Sequence, residues 1–523
     1  MEPGKWKIIV EMKKRLPLLF LIGILLLAAF LRLYHISDYM TFLGDEGRDV
    51  LVAKNMLEGH LTLLGPRSSA GDFFMGPAYY YMITPFLWLF GLDPVGPAVM
   101  VALVGIVTVF LVYFVGKKFF NERAGLYAAA LYAVSPLVIS YSRSSWNPNV
   151  LPFFSLILIY SLYKAVEEKS WKYFLLAGFC LGISLQLHYL ALFLGVVTAA
   201  YVFVSWWRQK KRKIQALVSH YAQVLLGFII GFSPFLAFEA RHEFLNTKAI
   251  ISFIFGGQTG EDLNSLPFYT IVGDVFFRVF GKLVFYFPPQ EWYDKYNPVL
   301  LGTYGVIVVV MAIAAIVSLF YIKNKNAKML LLLWLAFGIL LFGLYKKSIY
   351  DYHFAFMFTL PFLLIGNLLA KLFEVKKYRL VMASVSVLIF TGLFLYNFSG
   401  MPFRSSPNKQ RDQVKMIAEF VISKSDNKPY NFALITGGNS DHAYRYYLDV
   451  LGHKPVGLQN LIEDPERKSA TNQLLVVCED PNCQPLGHPG FEVAGFGRAE
   501  IAGKWDVSVV KVYRLVPYKE VEN

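Results

Sequence analysis

The residues of this chain best suited to moving a proton are two adjacent acids, Asp45 and Glu46, in the segment Met40-Thr-Phe-Leu-Gly-Asp-Glu-Gly-Arg-Asp49. They follow the first long apolar stretch. Carboxylates are costly beside hydrocarbon, so a pair kept at a membrane boundary is a functional candidate. Asp45 is the expected general base, taking the proton of an attacking hydroxyl. Glu46 is expected to orient one of the reactants. A departing anion would need cationic or hydrogen-bonding partners. Arg143, His188 and Arg241 are of the right type for a phosphate. Asn147, Asn149, Tyr189 and His353 lie at the same set of helix ends and complete the candidate substrate-binding group.

Plainer roles compete for several of these positions. Asp45 precedes a helical pattern and would also serve as its N-cap. Asn147-Pro148-Asn149 reads as a turn, and so does Gly437-Gly438-Asn439, which lacks any established phosphate-loop spacing. His188 fits an interfacial histidine equally well, and Tyr79-Tyr80-Tyr81 reads as an aromatic belt. Asn397-Phe398-Ser399 has the glycosylation pattern, a signal too short to carry weight.

The elements that position these residues are set by composition. The 523 residues are 56% hydrophobic and 16% charged, with a mean hydropathy of +0.47, which marks a polytopic membrane protein. The net charge of +14 is carried almost wholly before residue 397, because acids and bases cancel beyond it. No basic soluble domain exists to support nucleic-acid binding. Cys180, Cys478 and Cys483 give neither a disulfide framework nor a metal pattern. Cys478 and Cys483 could pair in an oxidising compartment or remain as thiols.

Apolar runs of spanning length predict about eleven helices, near 16–34, 96–116, 124–141, 150–164, 173–187, 189–207, 217–238, 299–322, 329–345, 354–371 and 380–397. The first, without a cleavage site, reads as a retained helix. Basic clusters in alternate loops place the N-terminus in the cytoplasm and the C-terminus outside. Residues 77–90 are apolar but short and broken by Pro85, and are expected to lie along the outer interface. The expected organisation is a membrane module over 1–397, with outer loops at 35–97 and 239–298, and a soluble extracytoplasmic α/β domain over 398–523. The first loop carries a helix over Asp45–Gly59, with Val50, Ala53 and Leu57 on its apolar face. In the soluble domain, helices are expected at Lys409–Lys424 and Ser440–Leu451, and strands at Asn431–Thr436, Gln473–Cys478 and Asp506–Leu515.

Gathered on one face, these residues fit transfer of a sugar from a polyprenyl phosphate. The acceptor hydroxyl attacks the anomeric carbon, a carboxylate takes its proton, and lipid phosphate leaves. The motifs carry a matching resemblance: Asp45-Glu46 after the first helix, Met56-Leu57-Glu58-Gly59 closing the next, and Met75-Gly76-Pro77 opening a segment that ends at Phe90-Gly91. A basic loop, Gly116-Lys-Lys-Phe-Phe-Asn-Glu-Arg123, then precedes Ser135-Pro136 and Tyr141-Ser142-Arg143. Over about residues 16–400 the chain resembles the GT-C glycosyltransferase superfamily. The likeness is to the family 39/83 group of protein O-mannosyltransferases and lipid A aminoarabinose transferases. The chain departs from that pattern in having Asn147 and Asn149 for an acid, Gly76 for a lysine or histidine, and His188 for a lysine. The resemblance implies a GT-C fold and an inverting transferase using undecaprenyl- or dolichyl-phosphate sugars, in the plasma membrane, with its active site outside. It leaves a divalent cation open. The acceptor would be a protein, a lipid or a glycan.

Two other classes remain open. A transporter or flippase for lipid-linked sugars would show broken midplane helices, inverted repeats or ionisable residues within spans. A non-catalytic binding protein for the same lipids would tolerate loss of Asp45. The soluble tail is expected to contact the acceptor or cover the active site.

Overall fold

A computed structural model describes residues 3–68, 71–255, 266–286, 298–460, 462–480 and 482–518. Among these, eight helices are long and apolar enough to span a bilayer: Arg15–Leu33, Val95–Phe119, Asn147–Glu168, Tyr189–Trp207, Ile214–Gly231, Pro298–Tyr321, Lys325–Leu344 and Arg379–Gly400. Asp351–Met357 and Leu360–Leu372 form a further apolar pair bent by 58°. Two expected spans take other forms. The run over 124–141 is broken into Glu122–Ala133 and Pro136–Tyr141, with Ser135 as the cap where Pro136 restarts the helix. Trp171–Leu187 is apolar but only 17 residues long. Part of the second outer loop expected over 239–298 lies outside the described residues.

The fold divides into two compact units. One comprises Met1–Tyr34, Leu61–Met82 and Val99–Ser406; the other comprises His35–His60, Ile83–Ala98 and Pro407–Asn523. The grouping does not follow a single cut near residue 397. The segment bearing Asp45 and Glu46 belongs with the tail, because its helix packs on a tail helix.

Within the membrane unit, Trp171–Leu187 and Ile214–Gly231 approach backbone to backbone. A Cβ on Gly178 would strike the Val224 carbonyl, and one on Gly227 would strike that of Leu175. The spacings Gly178-x-x-x-Gly182 and Gly227-x-x-x-Gly231 give each helix a small-residue face, which permits such contact where no hydrophobic effect drives association. Ala78–Leu89 is a 12-residue helix containing Pro85, too short to span. Tyr79 is fully buried and hydrogen-bonds Ser145 at 2.8 Å, so the aromatic-belt reading fails for it. Asn397 is buried and donates to the Val284 carbonyl at 3.0 Å, which removes it as a glycosylation acceptor.

The second unit is built on a four-stranded sheet: β1 (Asn431–Ile435), β2 (Leu474–Cys478), β3 (Ala499–Val507) and β4 (Val510–Pro517). Their order is β1-β2-β4-β3; β1 and β2 are parallel, and the other pairs antiparallel. The single strand expected over Asp506–Leu515 is instead a hairpin that turns at Ser508, whose φ of 54° interrupts the extended backbone. Leu474, Val476, Tyr513 and Leu515 line one core face. Cys478 is disulfide-bonded to Cys483, while Cys180 is free and buried. Helix Gly44–Leu57 lies against His442–Val450. A Cβ on Gly47 would collide with the backbone of Ala443, so glycine is what lets the two axes close. Phe42, Tyr446 and Tyr447 interlock beside them, with ring centroids 5.5–6.2 Å apart. The buried face of Gly44–Leu57 is Val50, Ala53 and Met56; Leu57, expected there, is exposed.

Candidate active site

Helix Gly44–Leu57 begins without a polar N-cap, because Leu43 holds that position. Its first backbone donors are met from elsewhere. Glu46 Oε2 accepts the Leu43 N–H at 3.0 Å, the carboxylate half of a capping box. Asn439 Oδ1 accepts the Gly44 N–H at 2.9 Å. The Glu46 carboxyl is buried, and burial pushes its pKa up to about 7, opposed by the backbone N–H groups it accepts.

Asp45 is therefore not the cap. Its side chain is 54% exposed and accepts from Arg48 Nη1 at 2.7 Å. Its Oδ2 makes no hydrogen bond among the described residues. Arg48 is held in turn by the buried Asp49, whose Oδ1 accepts from Nε at 3.0 Å and from Nη2 at 2.8 Å. The arrangement presents one accessible carboxylate on the first turn of a helix.

Asn439 is itself fixed. Its Nδ2 donates to Glu479 Oε1 at 3.2 Å, and Glu479 also accepts from Thr436 Oγ1 at 2.8 Å and from the Tyr444 hydroxyl at 2.9 Å. Glu479 directly follows β2, so the sheet sets the position of the Asp45 helix. His442 Nδ1 lies 2.7 Å from Ser440 Oγ. Burial lowers the pKa of His442, and the charges of Asp441 and Asp45 oppose that shift.

The remaining expected residues lie in the membrane unit. Arg143 is buried, with Nη1 donating to the Leu31 carbonyl at 2.8 Å and Nη2 to that of Tyr34 at 2.6 Å. These are the terminal carbonyls of the first span, where a cation is favoured. Asn147 Nδ2 donates to the Leu187 carbonyl at 2.5 Å, fixing the turn that carries His188. Asn149 Nδ2 closes its own loop on the Ser144 carbonyl at 2.8 Å. Arg241 is exposed at the end of helix Ser233–Arg241.

His188, Tyr189 and His353 come together. The two histidine rings are 5.3 Å apart, and both are buried. Tyr189 stacks on His188 at 4.7 Å, and its hydroxyl lies 2.5 Å from that of Tyr345. Each histidine accepts a backbone N–H at Nδ1, from Leu190 at 3.2 Å and from Tyr350 at 3.4 Å. A neutral imidazole so held keeps its proton on Nε2, available for donation. Next to them is an aromatic cavity of about 420 Å³, walled by Phe73, Tyr189, Phe193, Phe235, Phe253 and Tyr345.

Several residues here escaped the sequence reading. Arg278 donates through Nε to Asp351 Oδ1 at 2.8 Å and through Nη1 to the Ile349 carbonyl at 2.8 Å. Lys282 reaches Asp351 Oδ2 at 3.3 Å. Together they anchor the loop that ends in His353. The spacing Asp274, Arg278, Lys282 on a helix was the available signal. Gln186 fills the space beside Gly76, where a Cβ would overlap its side chain, and it accepts the Ala78 N–H at 3.1 Å. Glu239 is buried and accepts the Thr247 N–H at 2.6 Å. Among the described residues no group of three or more His, Cys, Asp or Glu converges to hold a metal ion.

Helices, bent pair and appended sheet together define a polytopic membrane protein with the fold of the GT-C glycosyltransferases. Residues 75–238 match the family model of the dolichyl-phosphate-mannose-protein mannosyltransferases. YkcB of Bacillus subtilis (strain 168), a candidate mannosyltransferase, is 27% identical over 214 residues, which cover 40% of this chain and 30% of that protein. ArnT from Cupriavidus metallidurans, solved with undecaprenyl phosphate bound, superposes with a TM-score of 0.60 at 12% identity, over 95% of this chain and 97% of that one. The Archaeoglobus fulgidus oligosaccharyltransferase superposes with a TM-score of 0.56 at 14% identity, over 85% of this chain and 64% of that one.

Proposed function

We propose that this chain is a membrane glycosyltransferase that moves a sugar, with inversion, from a polyprenyl-phosphate donor to a hydroxyl-bearing acceptor outside the cytoplasm. The observation that carries the reading is Asp45: an accessible carboxylate on a helix whose first donors are already met by Glu46 and Asn439. It accepts the acceptor's proton as the acceptor oxygen bonds to the anomeric carbon. The bond from that carbon to the phosphate oxygen breaks, and the electron pair leaves on the lipid phosphate. Glu46 positions Asp45 by holding the helix start. Within the membrane unit, the Nε2–H groups of His188 and His353 and the paired hydroxyls of Tyr189 and Tyr345 form a donor cluster suited to a phosphate. The aromatic cavity beside them suits a prenyl chain.

The basic loops support a cytoplasmic N-terminus, and the Cys478–Cys483 disulfide fits an oxidising compartment for the tail. Mannose heads the sugars to be tried, since the matching family model and YkcB both carry its name. Purified protein would be given polyprenyl phosphates bearing mannose, glucose or aminoarabinose, together with envelope extract. Release of polyprenyl phosphate and the anomeric configuration of the product would be followed by NMR. Transfer with inverted configuration supports the reading, and retention rejects the mechanism. Movement of intact lipid-linked sugar across vesicles without cleavage favours a transporter.

A further inference from the structure

At the end of the membrane unit that carries the basic loops, three of those loops surround a cavity of about 940 Å³. This is within the range of about 300–1,000 Å³ typical of ligand sites. Six cations line it: Lys169, Arg208, Lys210, Lys211, Lys323 and Lys325. Glu167 is the one acid on the wall, and Asn326 Nδ2 already donates to it at 2.8 Å. None of the six cations forms an ion pair among the described residues.

A bias toward lysine and arginine on the cytoplasmic side accounts for basic loops. It does not account for three of them converging on one hollow with their charges unanswered. Elsewhere in the basic loops single cations are paired locally, Lys117 with Glu122 at 2.5 Å, Lys371 with Glu374 at 2.7 Å and Lys164 with Glu168, whereas none of the six on the cavity wall has such a partner among the described residues. The walls here are also braced. Asn324 donates to the Tyr163 hydroxyl at 2.7 Å, and Trp206 Nε1 donates to the Lys213 carbonyl at 3.0 Å. One side is aromatic, formed by Trp206 and by Phe174 stacked on His220 at 4.4 Å. Like charges held around a preformed hollow repel one another unless an anion enters.

We propose that this cavity is a binding site for a ligand bearing two or more phosphate charges, separate from the Asp45 and His188 regions. Basic pockets between membrane helices on this side suit anionic lipid headgroups, and soluble diphosphates share that chemistry. Full-length protein would be placed in phosphatidylcholine nanodiscs with and without cardiolipin, and retained lipid read by native mass spectrometry. In parallel, protein in neutral detergent would be titrated with inorganic pyrophosphate by calorimetry. Binding of cardiolipin alone identifies a lipid site, and binding of pyrophosphate alone a soluble one; binding of both gives the shared chemistry.

The triple variant Lys210→Gln, Lys323→Gln, Lys325→Gln should bind about a hundredfold more weakly, and Lys323→Gln alone about fivefold. Arginine at the same three positions should preserve binding. Lys376→Gln with Lys377→Gln, in a basic loop that does not line the cavity, should change nothing. The proposal is overturned if wild-type protein binds neither probe, if the glutamine variants bind as wild type does, or if the Lys376 and Lys377 control weakens binding equally.

Discussion

The side-chain oxygen of Asn439 accepts the backbone N–H of Gly44 at 2.9 Å, 395 positions away in sequence and one residue before Asp45. A residue of the tail thereby completes the start of the helix that presents the proposed base. Asn439→Ala should cost that helix about 1 kcal/mol. It should also lower kcat between about tenfold and a hundredfold by letting the carboxylate wander, with donor KM little changed. Steady-state kinetics beside a thermal melt separate this positioning effect from global unfolding.

The tail's role follows from the same contact. Deleting residues 400–523 removes Asn439 and the helix that covers Gly47, so turnover should fall with every acceptor. A truncated protein that keeps its rate and alters only its products would show the tail to be a selector of acceptors.

Gly47 is a steric requirement of that packing. Gly47→Val should destabilise the second unit by about 1–3 kcal/mol. Gly437→Ala, in open space within the same unit, should be neutral. Limited proteolysis of the tail in the two variants tests the contrast.

Glu46 gives a pH signature. Its carboxyl is raised from 4.5 to about 7, so the folded protein holds that proton more tightly than the unfolded chain does. The stabilisation is complete below pH 4.5 and lost as pH rises through about 7, a change of about 3 kcal/mol. Glu46→Gln keeps an oxygen for the Leu43 N–H and cannot ionise. Its melting temperature relative to wild type should therefore climb between those pH values, and parallel curves would refute the assignment.

Asp351 carries the load of two cations, Arg278 and Lys282, beside His353. Asp351→Asn should loosen that loop and raise donor KM about tenfold or more, as should His353→Ala. Arg241→Ala, at an exposed helix end, should leave donor KM unchanged. Initial rates over a range of donor concentrations decide both.

Much of this architecture was legible in the sequence because hydrocarbon imposes it. Apolar length located the long helices, and the cost of charge near lipid singled out Asp45. The break at Ser135-Pro136 and the bend before Leu360 were not resolved, since a hydropathy sum is blind to where an apolar run kinks. Arg143 sits in a loop by sequence, and that its Nη1 and Nη2 donate to the carbonyls of Leu31 and Tyr34, more than a hundred positions away, could not be read from its neighbours. Asn439 looked like part of a turn for the same reason. Glycine at 47 and 76 carried information about close approach that becomes readable only once Ala443 and Gln186 are seen opposite.

The central claim rests on Asp45, and the most direct test compares Asp45→Asn with wild type at matched expression and melting temperature. Membranes would be given radiolabelled polyprenyl-phosphate sugars, and lipid phosphate release would be followed together with label entering acceptor. The account predicts a fall in turnover of about 10²–10⁴-fold with donor binding retained. Unchanged turnover in Asp45→Asn would contradict it.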